Sequence, residues 1–471
     1  YDLRRLAQDA QNIELNFNNY LQGYSANVRE IIENFQIEKV ITRLVRNNLL
    51  FMLVKKFTEI DLHPETVSNH EMGYIFEHLL YKFYEMSNEA AGEHYTPREV
   101  IRLMVNLLFA EHQAELQGKG IIRSVFDPAC GTGGMLTIAK DHIMTQINPN
   151  VEMILYGQEL NEQTYAISKS DILIMGANAD NIRSGNSFSH DRFPGQQFSY
   201  MLSNPPFGVS WKKEQPFIQN EANDPNGRFY AGLPRSSDGA LLFLQHMISK
   251  MEARGSRIAI VFNGSPLFTG DSGSGESDIR KWIIANDWLE AIVALPTDMF
   301  YNTGIATYIW IVANRKPPKR AGRVQLINAV TFFQKMRKSL GNKRNYITDA
   351  QIKEITAIYT RFPEENEHCK VYDNADFGYT KITVERPLME NGKIVCDSKG
   401  HPKPDPKLRD YEKVPLKADI DAYFEREVKP HVPDAWMDRS KDKVGYEINF
   451  TKYFYQYTAL EPLDELKAQM L

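Results

Sequence analysis

The stretch Tyr200-Met-Leu-Ser-Asn-Pro-Pro-Phe-Gly208 concentrates more chemical potential than any other part of the chain. A strand-like apolar run enters two consecutive prolines, which carry no amide hydrogen and stiffen the backbone. The carbonyls ahead of them, with the side chain of Asn204, are left to accept hydrogen bonds from an outside group. Phe207 adds a flat apolar face. Two acceptors and a stacking ring suit an exocyclic amino group on a planar base. Accepting both amine hydrogens favours a tetrahedral nitrogen whose lone pair can attack an electrophile. That is a matter of positioning rather than covalent catalysis.

Two further sites lie upstream. Ser124-Val-Phe-Asp-Pro-Ala-Cys-Gly-Thr-Gly-Gly-Met-Leu136 places an apolar strand, the acid Asp127 and a glycine cluster ahead of an amphipathic helix. Glycines let the backbone turn sharply and approach a ligand, while the acid accepts from an amine or hydroxyl. Gly131 and Gly133 fit the first and third positions of a dinucleotide fingerprint, but Leu136 occupies the sixth. The Gly-Lys-Ser/Thr of a P-loop is missing. Pyrophosphate binding is therefore disfavoured, and a ligand with an amino-acid or nucleoside part is favoured. Cys130 has no evident histidine partner and reads as a small packing residue. One βαβ unit later, Met153-Ile-Leu-Tyr-Gly-Gln-Glu159 closes on a carboxylate, the place from which an acid can accept both ribose hydroxyls.

The elements that must position these groups alternate. Apolar runs over 124–127, 152–158, 200–203, 257–262, 288–295 and 305–313 read as strands, and amphipathic segments over 134–143, 162–175 and 239–251 as helices. This alternation predicts a largely parallel sheet covered on both faces, with ligands beyond the carboxyl ends of the strands. Ahead of it, apolar positions from Glu38 to Phe57 and from Glu71 to Met86 keep helical spacing. Thr96 and Pro97 predict a helix start, as N-cap and first helical residue. Two long loops, 208–238 and the Gly/Ser-rich 269–277, are expected to be functional or mobile. After Lys343 the alternation fades, and a short helical tail is expected over 462–471.

Hydrophobic residues make up 42% of the 471 and charged residues 24%, which excludes a disordered or fibrous chain. No apolar stretch is long enough to span a bilayer. The three cysteines are far apart, which disfavours a disulfide framework or a zinc site and fits a reducing cytoplasm. The start, Tyr1-Asp-Leu-Arg-Arg5, lacks both an initiator Met and a secretory signal, so leading residues are expected to have been removed. A net charge of −5 sits awkwardly with nucleic acid, whose phosphates are bound mainly by Lys and Arg. Ten basic residues and no acid do lie between Arg315 and Arg344, however, and these are expected to track phosphates.

Taken together, the sequence resembles the amino-methylating DNA methyltransferases, and closely the modification subunits of type I restriction-modification systems. The resemblance rests on Asn204–Phe207, on Asp127-Pro-Ala-Cys-Gly-Thr-Gly-Gly134 and on Gly92-Glu-His-Tyr-Thr-Pro-Arg98. Asp376–Arg386 and Val444–Asn449 also look like this family's C-terminal part. The resemblance implies an α/β, Rossmann-like S-adenosylmethionine-dependent methyltransferase core over 92–345, a helical domain over 1–91, and a C-terminal extension over 346–471 that docks a specificity subunit. It implies that Glu93, His94, Tyr95, Thr96, Pro97 and Arg98, with Asp127, Gly131, Thr132 and Gly133, line the S-adenosyl-L-methionine pocket. Glu159 would hold the ribose and Asn186 the edge of the adenine ring. Asn204, Pro205, Pro206 and Phe207 would be catalytic, acting without a metal on the N6 amino group of an adenine flipped from double-stranded DNA. The implied partners are a specificity subunit, a second modification subunit and a restriction subunit, with no membrane, in a bacterial or archaeal cytoplasm. Methylation of a protein glutamine amide, or a non-catalytic assembly role, are the competing readings.

Overall fold

Apolar runs of four to eight residues that are buried on both faces make central strands rather than helices. The computed structural model describes residues 2–63, 65–68, 71–73, 75–76, 78–79, 82 and 95–455. The strands are β1 (Ile122–Asp127), β2 (Glu152–Glu159), β3 (Ile182–Ser184), β4 (Tyr200–Ser203), β5 (Arg257–Asn263), β6 (Leu289–Ala294), β7 (Thr307–Ala313) and β8 (Arg323–Asn328). A hairpin follows, β9 (Gln334–Leu340) and β10 (Lys343–Tyr346), then β11 (Glu365–Asn366) and β12 (Cys369–Asp373). Among the described residues one sheet runs β11-β12-β8-β6-β7-β5-β4-β1-β2-β3. Strands β3 to β5 are parallel through β2, β1 and β4, and β7 runs antiparallel between β5 and β6.

Alternate residues of the strands feed two cores. Val125, Leu202, Ala259 and Val261 pack with the helices Arg98–Ala110 and Gly134–His142. Phe126, Met201, Ile258 and Ile260 pack on the other face with Ala240–Ile248 and Gly275–Ala285. The period of two along each strand is what sets the two layers. The expected Rossmann-like α/β architecture is thus present, and strand order reverses between β1 and β4, the switch point where such folds open a crevice.

Several expectations need correcting. The sheet does not end at residue 345: β12 pairs antiparallel with β8, and the helix Asp349–Arg361 packs on Arg98–Ala110. Residues 346–373 thus belong to the central layer. The loop 208–238 carries the helix Gln215–Ala222 and a small core of Trp211, Ile218 and Phe229 against Phe188 and Leu242. The Gly/Ser-rich loop is pinned at Asp271 by the Tyr379 hydroxyl (3.0 Å) and Lys381, and its last three residues open the helix Gly275–Ala285. The amphipathic face over 38–57 is broken into Ile37–Arg46 and Leu50–Thr58 at Asn48, whose φ is +54°. Of the helical face expected over 71–86, residues 71–73, 75–76, 78–79 and 82 are helical and the rest lie outside the described residues, as does the whole of the tail over 462–471.

Half of the basic run also serves the fold. Arg320 is fully buried and donates to Glu111 (2.9 Å), and Lys316 and Lys319 pair with Asp287 (2.6 Å) and Glu111 (3.0 Å). Arg323 faces Glu364 at 3.5 Å, and buried Lys343 pairs with Glu99. At the centre of this set Arg257 donates to both oxygens of Glu290 (3.0 and 2.9 Å) and to the carbonyl of Leu108 (2.8 Å), and Tyr359 donates to Glu290. Both Arg257 and Glu290 are 0% exposed.

Beyond the sheet, the strands Gly378–Glu385, Asp410–Pro415, Trp436–Met437 and Lys443–Tyr446 form a separate antiparallel sheet. It is held to the core by buried Arg280, which donates to the carbonyls of Tyr446 (2.6 Å), Pro266 (3.1 Å), Thr269 (2.8 Å) and Gly270 (3.2 Å). At the other end of the chain, Glu30 of the helix Ala26–Asn34 accepts from Tyr165 (2.7 Å) and Lys169 (2.5 Å) of the helix Glu162–Ile174. Among the described residues no helix is long and apolar enough to cross a membrane.

Desolvation alone would raise the pKa of Glu290, but the Arg257 guanidinium outweighs it and holds the carboxyl down at about 2. The stabilisation is present above the ordinary carboxylate pKa and is lost as pH falls towards 2. Glu290→Gln should therefore lower stability by about 3–5 kcal/mol near neutrality, because two buried guanidinium groups lose their counter-charge. Denaturation midpoints across pH check this, with the gap from wild type narrowing below about pH 4.5.

Candidate active site

The carboxyl ends of β4, β1, β2 and β3 open on a cleft of about 850 Å³. Each end delivers one of the groups singled out from the sequence: Asn204 after β4, Asp127 at the end of β1, Glu159 at the end of β2 and Asn186 after β3. All four line the cleft, together with Tyr95, Thr96, Gly131, Thr132, Pro206 and Phe207. Pro97, Arg98 and Gly133 stand outside its lining, as does Pro205, which is buried. Glu93 and His94 lie outside the described residues.

The glycine turn is shaped by close packing. Gly131 has φ +52°, and Gly133 has φ +85° with a would-be Cβ only 2.6 Å from the Ser168 hydroxyl, so a side chain fits poorly there. Glu159 knots this turn to the next strand: Oε2 accepts the Gly131 amide and Oε1 the Asn161 amide, both at 2.8 Å. Asp127 Oδ1 accepts from the Ala129 amide and the Ser203 hydroxyl, both at 2.9 Å, which ties the end of β1 to the end of β4. Burial raises the Asp127 pKa to about 7, its hydrogen bonds opposing and the Glu159 charge adding to the rise. Cys130 is buried against Ser168, and burial pushes its thiol well above the ordinary value. A thiol so placed is not a nucleophile.

Asn204 is held by a residue expected to do something else. The helix begins at Arg98 with Pro97 as its cap residue, and no side chain caps it. The Thr96 hydroxyl instead accepts from Asn204 Nδ2 at 2.9 Å. That bond fixes the amide so that Oδ1 is the free end, and Oδ1 is buried with no partner among the described residues. A buried acceptor without a donor is costly unless a ligand supplies one. Beside it, Phe207 meets the edge of Phe300, with ring centroids 6.2 Å apart.

Sequence reasoning missed the walls. Trp211 and Glu214 come from the 208–238 segment, and Asn302, Thr303 and Ile305 from the turn between β6 and β7. Arg228 fixes the first wall by donating to Glu221 and to the carbonyls of Ser187 and Phe188, both at 2.7 Å. The scattered aromatics of that segment were the available signal. The second wall is braced by the β9–β10 hairpin, where the Asn342 and Arg344 amides donate to Tyr301 and Asp298 carbonyls at 2.9 Å. Lys335, Arg337, Lys338 and Arg344 are exposed on this hairpin.

Comparison with known proteins follows the same outline. Residues 67–383 match the family described as N-6 DNA methylase. The type I restriction enzyme MjaIX methylase subunit of Methanocaldococcus jannaschii is 29% identical over 346 residues, covering 73% of this chain and 58% of that protein. The HindI methylase subunit of Haemophilus influenzae is 29% identical over 261 residues, covering 55% of this chain and 54% of its own length. The chain thus spans between half and three-fifths of these relatives. Among solved structures, a type I restriction-modification methyltransferase subunit from Streptococcus thermophilus superposes with a TM-score of 0.62 at 24% identity, covering 79% of this chain and 74% of that one. A modification subunit of a putative type I restriction enzyme from Vibrio vulnificus gives 0.53 at 21%, covering 80% and 69%. At these identities the two structures speak to the fold.

The raised pKa of Asp127 carries a stability consequence. Its folded-state value exceeds the ordinary 3.8, so the folded protein is favoured below that value and loses stability as pH rises towards 7. Asp127→Asn, which can still accept both hydrogen bonds, should melt higher than wild type at pH 8 and at the same temperature near pH 4. Thermal melts at the two pH values check it.

Proposed function

The chain belongs to the N-6 DNA methylase family, and on that premise we propose that it is the modification subunit of a type I restriction-modification system. It transfers a methyl group from S-adenosyl-L-methionine to the N6 amino group of an adenine everted from double-stranded DNA. The observation that carries this reading is the buried, unpartnered Oδ1 of Asn204 at the strand-order switch point, beside the Phe207 ring. An acceptor held open by Thr96 and a ring at its side fit a planar base bearing an NH2 group.

The residues around it fit the cofactor. Asp127 offers a carboxylate to an ammonium group, Gly131 a close backbone approach, and Glu159 free lone pairs to a diol. S-adenosyl-L-methionine supplies an electrophilic methyl group when bound. The chain's own work is positional: Asn204 draws one amine hydrogen, Phe207 stacks on the base, and the enclosing walls exclude water. The lone pair of the amine is thereby aimed, and the chain forms no covalent bond with the base. The basic hairpin bonded to the cleft wall favours DNA over a protein amide as the substrate.

Sequence recognition is left to a specificity subunit, for which the C-terminal antiparallel sheet over 378–446 offers a docking unit beyond the central sheet. A second modification subunit and a restriction subunit complete the assembly. The 1–91 region is the helical domain, and the catalytic domain starts at 92 and runs past 345 to Asp373, the end of β12.

Asn204→Ala in the reconstituted complex should cut methyl transfer by at least about a hundredfold, the scale of losing one transition-state hydrogen bond. S-adenosylhomocysteine binding should change less than about threefold; calorimetry and tritiated methyl transfer read the two effects separately. Replacing Lys335, Arg337 and Arg344 by Gln should flatten the slope of log K for DNA against log salt by about 2–3, each lost phosphate contact counting about 0.9. An unchanged slope would remove the hairpin from the DNA path.

A further inference from the structure

Glu214 is the one carboxylate that the 208–238 segment contributes to the cleft. It sits just ahead of the helix Gln215–Ala222, whose Ile218 is buried with Trp211 and Phe229 under Phe188. The segment is thus fixed against the turn after β3, and Arg228 clamps the two together. In that turn Asn186 uses its Oδ1 to accept the Phe188 amide at 2.9 Å, and its Nδ2 donates to Glu214 Oε1 at 3.0 Å. Its carbonyl oxygen is therefore already engaged by the backbone. Of the two side chains, the strong acceptor left facing the cleft is the Glu214 carboxylate, which can accept about four hydrogen bonds. The second hydrogen of the Asn186 amide remains a donor.

A carboxylate acceptor beside an amide donor is the complement of one edge of adenine, whose 6-amino group donates and whose N1 accepts. The position decides which adenine. Asn186 and Glu214 stand beyond the end of β3, on the far side of β1 and β2 from Asn204. Glu159, the candidate ribose acceptor, closes β2 between them, and exposed Leu160 adds an apolar face to the cleft beside it. We propose that Glu214, oriented by Asn186, is the residue that selects the adenine base of the cofactor by accepting from its 6-amino group. The inference rests on the S-adenosyl-L-methionine reading above. It assigns the 208–238 segment to base selection in the cofactor pocket, a role apart from covering the DNA.

The test is calorimetric binding of two ligands to the full chain without DNA: S-adenosylhomocysteine and its 6-oxo counterpart, S-inosylhomocysteine. Wild type should prefer the amino compound by about tenfold or more, because the 6-oxo group presents a lone pair to a carboxylate and N1–H presents a donor to a donor. Glu214→Gln can turn its NH2 towards the 6-oxo group, and Glu214→Ala removes the repulsion, so both should compress the preference to within about threefold. A purely structural role for Glu214 would weaken both ligands alike and keep the ratio, and that result overturns the assignment. The two variants guard against one failing to fold, since the ratio is read on whichever retains the wild-type circular dichroism. Wild type binding neither ligand would instead overturn the cofactor reading itself, and the assignment with it.

Discussion

A carboxylate sealed between two guanidinium groups is the constraint around which this molecule is organised. Glu290 on β6 cannot be relieved by solvent, so Arg257 on β5, Arg320 after β7 and Tyr359 on the helix Asp349–Arg361 must converge on it. Ionic groups so deeply buried need near-complete satisfaction, and here the remaining donors reach Leu108, Glu111 and Gln325. The helix Arg98–Ala110 is thereby held at its C-terminal end. At its other end the chain just upstream presents Thr96, which sets the orientation of Asn204. An interaction in the middle of the sheet and an open acceptor at its edge are joined by one helix.

The cleft itself follows from topology. Because β1 to β3 advance in one direction and β4 and β5 in the other, consecutive loops part and leave room above the sheet. The order of strand ends then becomes an order of polar groups: the open Asn204 acceptor at β4, Asp127 and the glycine turn at β1, Glu159 at β2, and the Asn186–Glu214 pair at β3. Rigid walls complete it. The segment after Phe207 has its own small core, and the turn before β7 is braced by the hairpin, so the chain's own packing sets the shape of the cleft.

Much of this was legible in the residues because the informative segments are local. β1, β2, β4, β5, β6 and β7 each announce themselves as apolar runs bounded by turns, and the three motifs sit at their ends. What stayed hidden depends on partners distant in sequence. β3 has three residues and a polar flank, too little for a pattern. β8 lies inside the basic run, whose charges gave no hint that Glu99, Glu111, Asp287, Glu290 and Glu364 would claim half of them. Thr96 carried every mark of a helix cap, yet its hydroxyl accepts from a side chain 108 positions away. Glu214 had no motif around it, and only the packing of Trp211, Ile218 and Phe229 brings it to Asn186.

The Arg280 clamp has a bearing on how such a chain can be taken apart. Its guanidinium is reached by one carbonyl from the far C-terminal strand and by three from the turn that follows β5. Trimming the antiparallel unit away would bare the apolar floor beneath Ile448 and Phe450 and strip a charge-bearing donor of an acceptor at once. The visible seam between the sheets is consequently no place to divide the chain, since a fragment cut there keeps Arg280 and loses its Tyr446 acceptor.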